Sequence, residues 1–136
     1  MPKVLLIDDD PSILTILDIL LRHQGYDVVL ANNSWKGLEL YHHQHPDVIV
    51  LDLNMPEMDG ITVLKQIRRV DLKQLVIVLT AGTAPETERQ AHTLGVSEFI
   101  VKGSSLHLLG ETLQRLLKTP APATITATCC TINREL

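Results

Sequence analysis

Aromatic residues are scarce in this 136-residue chain, at 3%: one Phe, one Trp and two Tyr. Trp35 and Tyr41 share helical spacing with Leu38, which reads as packing and not as a stacking platform for bases. Cysteine is limited to the adjacent pair Cys129 and Cys130. Neighbours make a poor staple and nothing basic flanks them, so neither a disulfide framework nor a thiolate role is expected. Positive charge is also short. Twelve Lys and Arg against sixteen Asp and Glu give a net charge of −4, which opposes unassisted binding to a phosphate backbone, and no direct nucleic-acid ligand is expected. No apolar run approaches the ~20 residues of a membrane span, so no membrane insertion is expected. Met1-Pro2-Lys3 leads into four apolar residues and then acids, unlike a secretory signal, which predicts a cytoplasmic protein. No glycine-rich phosphate loop of the Walker or dinucleotide type is present, removing nucleotide hydrolysis and NAD chemistry in their commonest forms.

What is present is globular: 45% hydrophobic and 21% charged residues over the length of one domain. Short runs rich in Val, Ile and Leu begin at Val4, Val28, Val48, Val76 and Phe99, each followed by residues at helical period. Val48–Leu51 and Leu75–Leu79 are continuously apolar, as in strands covered on both faces by crossover helices, so the sheet is predicted to be parallel. Asp10 before Pro11, Asp59 before Gly60, and the capping-box spacing of Thr83 to Glu86 mark helix starts. Ile13, Ile16, Leu17 and Leu20 form the expected inner face of the first helix, and Leu106, Leu109, Leu113 and Leu116 that of the last. After Lys118, a Pro/Ala/Thr-rich stretch cannot continue a helix. The expected organisation is one domain over 1–118 and a loose tail over 119–136.

Ligands of open parallel sheets bind beyond the carboxyl ends of the strands, where the strand order reverses. The first strand ends in Asp8-Asp9-Asp10, the third in Asp52, the fourth in Thr80 and the fifth in Lys102. Order 2-1-3-4-5 makes strands one and three neighbours, so Asp8, Asp9 and Asp52 converge. Order 3-2-1-4-5 would place two inter-strand spacings of ~4.8 Å between them. The acids therefore favour a flavodoxin-like, doubly wound (βα)5 fold of order 2-1-3-4-5. Two unit charges 4 Å apart repel by about 4 kcal/mol at an effective dielectric of 20, so the cluster needs a cation. Mg²⁺, which takes one or two carboxylates, phosphate oxygens and waters, suits a half-open site, and Lys102 adds a further positive charge. An Asp is already ionised at neutral pH and needs no general base to act as a nucleophile.

Leu6-Ile7-Asp8-Asp9-Asp10, the run from Asp47 to Gly60, Leu79-Thr80-Ala81 and Phe99-Ile100-Val101-Lys102 together resemble the receiver domain of two-component response regulators, over Lys3 to about Leu117. The resemblance implies that Asp52 accepts a phosphoryl group from a sensor histidine kinase or histidine phosphotransfer protein. It implies Mg²⁺ held by Asp9, Asp52 and the backbone carbonyl of Asn54, with Asp8 acting mainly through water. Thr80 and Lys102 would bind phosphate oxygens. Phe99 would be the aromatic switch, and the face of the fourth helix, fifth strand and fifth helix would engage an effector protein or a second copy. The family usually has Pro where this chain has Gly103. A cis bond before Gly is costly, so a trans peptide is expected after Lys102.

His42, His43 and His45 lie near a helix end, where histidines suit the dipole, and lack further ligands at metal spacing, so they read as solvent-facing. An aspartyl-phosphate hydrolase would place an acid two residues after Asp52. Asn54 stands there and cannot titrate, so the expectation is a phosphoacceptor, not an enzyme of outside esters. A phosphorylation-independent scaffold is the remaining alternative.

Overall fold

A computed structural model describes residues 2–56, 58–82, 84–102 and 106–117. Five strands alternate with five helices: β1 Lys3–Ile7, α1 Pro11–His23, β2 Asp27–Ala31, α2 Ser34–Gln44, β3 Val48–Leu51, α3 Gly60–Val70, β4 Leu75–Thr80, α4 Pro85–Thr93, β5 Glu98–Val101 and α5 Leu106–Leu117. The strands form one parallel sheet in the order β2-β1-β3-β4-β5, as the acid placement requires. Among the described residues, no helix is long and apolar enough to cross a membrane. The expected tail, Thr83 and Gly103 lie outside the described residues.

The apolar strands are buried on both faces. Leu5, Ile7, Ile49, Leu51, Val76 and Val78 face Ile61, Leu64 and Ile67 of α3 and Ala91 of α4. Leu6, Val50, Ile77 and Leu79 face Leu17 and Leu21 of α1 and Leu109 and Leu113 of α5. Two side-chain expectations are corrected. The buried stripe of α1 is Leu14, Leu17 and Leu21, which turns Ile16 outward, and Trp35 is 64% exposed while Tyr41 is buried. Trp35 sits in the first turn of α2, and there the register that buries Ser34, Gly37 and Tyr41 points it away from the sheet.

Helix starts aim the loops at the carboxyl edge. Asp10 caps α1 by accepting from the Ser12 N–H at 2.9 Å, with Pro11 in the first turn. Asp59 caps α3 through Thr62. The helix α4 differs from expectation: its cap position falls on Ala84, whose side chain makes no capping bond.

Gly60 is fixed by closeness. A Cβ there would meet Leu53 Cα at 2.5 Å and the Asp52 carbonyl oxygen at 2.6 Å, both backbone atoms that cannot swing aside. Gly60→Ala is expected to destabilise the chain by about 1–3 kcal/mol, as overpacking does, and to displace the loop carrying Asp52. Urea denaturation checks it, and an unchanged midpoint would contradict the close approach.

Candidate functional site

The register delivers the acids to one point. Ile7 pairs with Leu51, so the next residues, Asp8 and Asp52, leave neighbouring strands side by side. The Asp52 N–H donates to the Ile7 carbonyl at 2.9 Å and the Asp8 N–H to the Ala31 carbonyl at 3.1 Å, extending the ladders one step beyond the strands. One carboxylate oxygen from each of Asp8, Asp9 and Asp52 lies within 4.8 Å of the others. Asp8 and Asp52 are buried, and Asp9 is exposed beside a cleft of about 200 Å³ shared with Asn32, Asn33 and Pro56.

Thr80 pairs with Val101, and the Lys102 N–H donates to the Thr80 carbonyl at 2.6 Å, so β4 and β5 bring their last polar residues to the same edge. Lys102 Nζ lies 2.9 Å from Asp8 Oδ2 and 3.3 Å from Asp52 Oδ2. The other oxygens are held by backbone. The Asp10 N–H donates to Asp8 Oδ1 at 2.9 Å, and the Asn54 N–H donates to Asp52 Oδ1 at 3.0 Å.

Both members of the Asp8–Lys102 pair titrate above their ordinary values. For Asp8, burial pushes the carboxyl up and the charge of Asp52 adds to it, outweighing the bonds from Lys102 and the Asp10 N–H. For Lys102, burial pulls the ammonium down, but the bond to Asp8 and the charges of Asp52 and Asp8 more than offset it. One lysine is shared between two carboxylates, so Asp8 remains undercompensated.

That asymmetry gives a signed expectation. Below the ordinary Asp value of 3.8, Asp8 is neutral in folded and unfolded chains alike, and as pH rises through its raised folded pKa its ionisation works against folding. Asp8→Asn is therefore expected to melt higher than wild type at neutral pH without divalent cation, with the advantage vanishing in acid. Lys102 acts oppositely, contributing up to its ordinary 10.5 and losing that contribution as pH rises through its higher folded pKa. Melting curves across pH test both signs, and a variant advantage that grows in acid would contradict them.

Thr80 is fully buried at the end of β4. Phe99, in β5, packs partly buried on the core face shared by α2, α3 and α4. Its ring lies 5.7 Å from that of His92 on α4, which in turn reaches Glu88 at 3.7 Å. His42, His43 and His45 are exposed, and the only cluster of potential metal ligands among the described residues is the acid triad.

Sequence reasoning overlooked the side chain of Asn54. Its amide donates to Thr80 Oγ1 at 2.9 Å and to the Gly82 carbonyl at 2.8 Å, joining the loops after β3 and β4. The usable signal was the adjacency of those strands in the order 2-1-3-4-5. The contact of His92 with Phe99 had no comparable signal.

Residues 4–114 match the response regulator receiver domain family. The chain is 38% identical over 114 residues to the transcriptional regulatory protein ZraR of Escherichia coli (strain K12), covering 84% of this chain and 26% of that protein. It is 34% identical over 116 residues to the regulatory protein AtoC of the same strain, covering 85% and 25%. It therefore spans about a quarter of the length of these two relatives. Its structure is similar to that of the Vibrio cholerae chemotaxis protein CheY4, with a TM-score of 0.79 and 32% identity over 85% of this chain and 98% of that one.

Proposed function

The chain belongs to the response regulator receiver domains of two-component systems, and from that premise we propose that Asp52 accepts a phosphoryl group from a sensor histidine kinase or histidine phosphotransfer protein. The observation that carries this reading is the arrangement of three carboxylates within 4.8 Å, two of them facing Lys102 Nζ.

Such a hard, anionic oxygen set, open on the Asp9 side, fits a small divalent cation. Asp8, Asp9, Asp52 and the backbone carbonyl of Asn54 would hold Mg²⁺, which when bound supplies charge compensation for phosphoryl oxygens. The chain's own residues do the rest. Asp52 presents the attacking carboxylate oxygen, with the side chain oriented by the Asn54 N–H and by Lys102. An Asp52 oxygen bonds to phosphorus as the P–N bond of the donor phosphohistidine breaks, and the electron pair leaves with the imidazole, which takes a proton from solvent. The Lys102 ammonium and Thr80 hydroxyl then meet the oxygens of the transferred group, positioned before charge develops.

The switch is what membership in the receiver family implies. Thr80 moves toward the phosphoryl group, Phe99 follows into the vacated space, and the face of α4, β5 and α5 changes its affinity for an effector, a further phosphocarrier or a second copy. Couplings of this kind are typically about 1–3 kcal/mol. The exposed Val101 and Leu108 give that face apolar contacts. The protein acts in the cytoplasm, as a phosphoacceptor and not a turnover enzyme, since Asn54 offers no titrating group. Its receiver unit is 1–118, with 119–136 as an appended tail.

Acetyl phosphate with intact-mass measurement tests the reading. A gain of one phosphoryl group in Mg²⁺, abolished by EDTA, is expected. The absence of any gain in Mg²⁺ would leave a phosphorylation-independent scaffold.

A further inference from the structure

Asn54 touches both ends of the proposed switch. Its backbone N–H holds Asp52 Oδ1, while its side-chain amide holds Thr80 Oγ1 and the Gly82 carbonyl. The amide orientation follows from chemistry, because a carbonyl oxygen can only accept and Gly82 therefore requires the nitrogen. Both amide hydrogens are thus committed, one to the hydroxyl of a buried residue at the end of β4 and one to the loop that leads into α4.

We propose that the side chain of Asn54 is a positioning residue: a latch that holds Thr80 and the β4–α4 loop in the resting arrangement until a phosphoryl group competes for the Thr80 hydroxyl. The proposal deepens the phosphoacceptor reading and rests on it for the competitor, though not for the latch itself. Thr80 is β-branched and on a strand, so its side chain has few staggered positions. A bond at 2.9 Å selects the one turned toward Asn54. Gly82 follows the same amide and has a positive φ of 146° that an L side chain rarely adopts, so the segment from Thr80 to Gly82 is held at both ends by a single group. Asn54 itself is exposed, which lets water replace the amide when the latch opens. The latch is therefore shallow, suited to a switch that must be thrown by one ligand.

A latch lowers apparent affinity for whatever needs it open, in proportion to the population of the open state. Removing it should tighten binding of an inorganic phosphoryl mimic, beryllium trifluoride in Mg²⁺, about fivefold, the equivalent of one net hydrogen bond. The experiment has two arms, on wild type, Asn54→Ala and the similarly sized Asn54→Leu. In the first, three-bond couplings to the Thr80 methyl carbon are measured without any phosphodonor. Wild type is expected to show one rotamer and both variants averaging among several. In the second, beryllium trifluoride is titrated, with both variants binding about fivefold more tightly. A Thr80 rotamer equally fixed in the variants, or an unchanged or weaker affinity for the mimic, would overturn the latch. If wild type neither binds the mimic nor gains mass from acetyl phosphate, the phosphoacceptor reading fails, and the coupling measurement alone decides whether Asn54 restrains Thr80.

Discussion

Replacing Lys102 with Ala is expected to lower the stability of the metal-free chain by about 3 kcal/mol, the lower end of what loss of one partner of a buried ion pair produces. The ammonium is the counter-charge that Asp8 and Asp52 share, at 2.9 and 3.3 Å. Without it, two buried carboxylates on neighbouring strands repel one another, and Asp8 already titrates high with the lysine present. Such a loss is a large fraction of the 5–15 kcal/mol that typical domains have. The side chain of Lys102 is 18% exposed, so water softens the effect and the lower figure is the appropriate one. The diagnostic feature is rescue. Mg²⁺ should stabilise Lys102→Ala more than wild type, because in the variant the ion supplies compensation the protein no longer provides. Urea titrations in Mg²⁺ and in EDTA measure both quantities, and equal stabilisation of the two proteins would show that lysine and metal do not serve the same charges.

Asp52→Asn is expected to abolish phosphoryl uptake from acetyl phosphate while leaving the chain folded. The amide is nearly isosteric, keeps an oxygen for the Asn54 N–H, and removes the nucleophile. It also removes one of the two repelling charges, so the metal-free variant should be more stable than wild type. Loss of uptake together with gained stability separates a chemical role from a structural one, since a merely structural acid would lose both or neither. Uptake that persists in the variant would place the acceptor elsewhere, with Asp8 or Asp9 as the nearest carboxylates.

The parts of this architecture that could be read in advance are those in which one physical requirement dominates. Apolar runs such as Val48–Leu51 demand cover on both faces, and that demand gives a parallel sheet with helices on each side. The charges of Asp8, Asp9 and Asp52 make sense only if β1 and β3 are neighbours, which selects the strand order. Within a helix the signal is weaker. On α1, Ile13 to Leu21 offers several apolar stripes, and the sheet chose Leu14, Leu17 and Leu21 over one including Ile16. Trp35 reads as packing by period alone, but its place at the start of α2 turns it outward. The cap of α4 fell on Ala84 because a side-chain acceptor at spacing is a permitted helix start and not a required one. The Asn54 amide was out of reach for a different reason. Its partners, Thr80 and Gly82, lie 26 and 28 residues away, and only the docking of two loops brings them together.

Sharing of one divalent ion by the three carboxylates is tested most directly by calorimetric titration of the phosphate-free protein with Mg²⁺. One ion per chain is predicted for wild type, with binding severely weakened in both Asp9→Asn and Asp52→Asn. Failure of wild type to bind Mg²⁺, or binding that survives both substitutions unchanged, would contradict it.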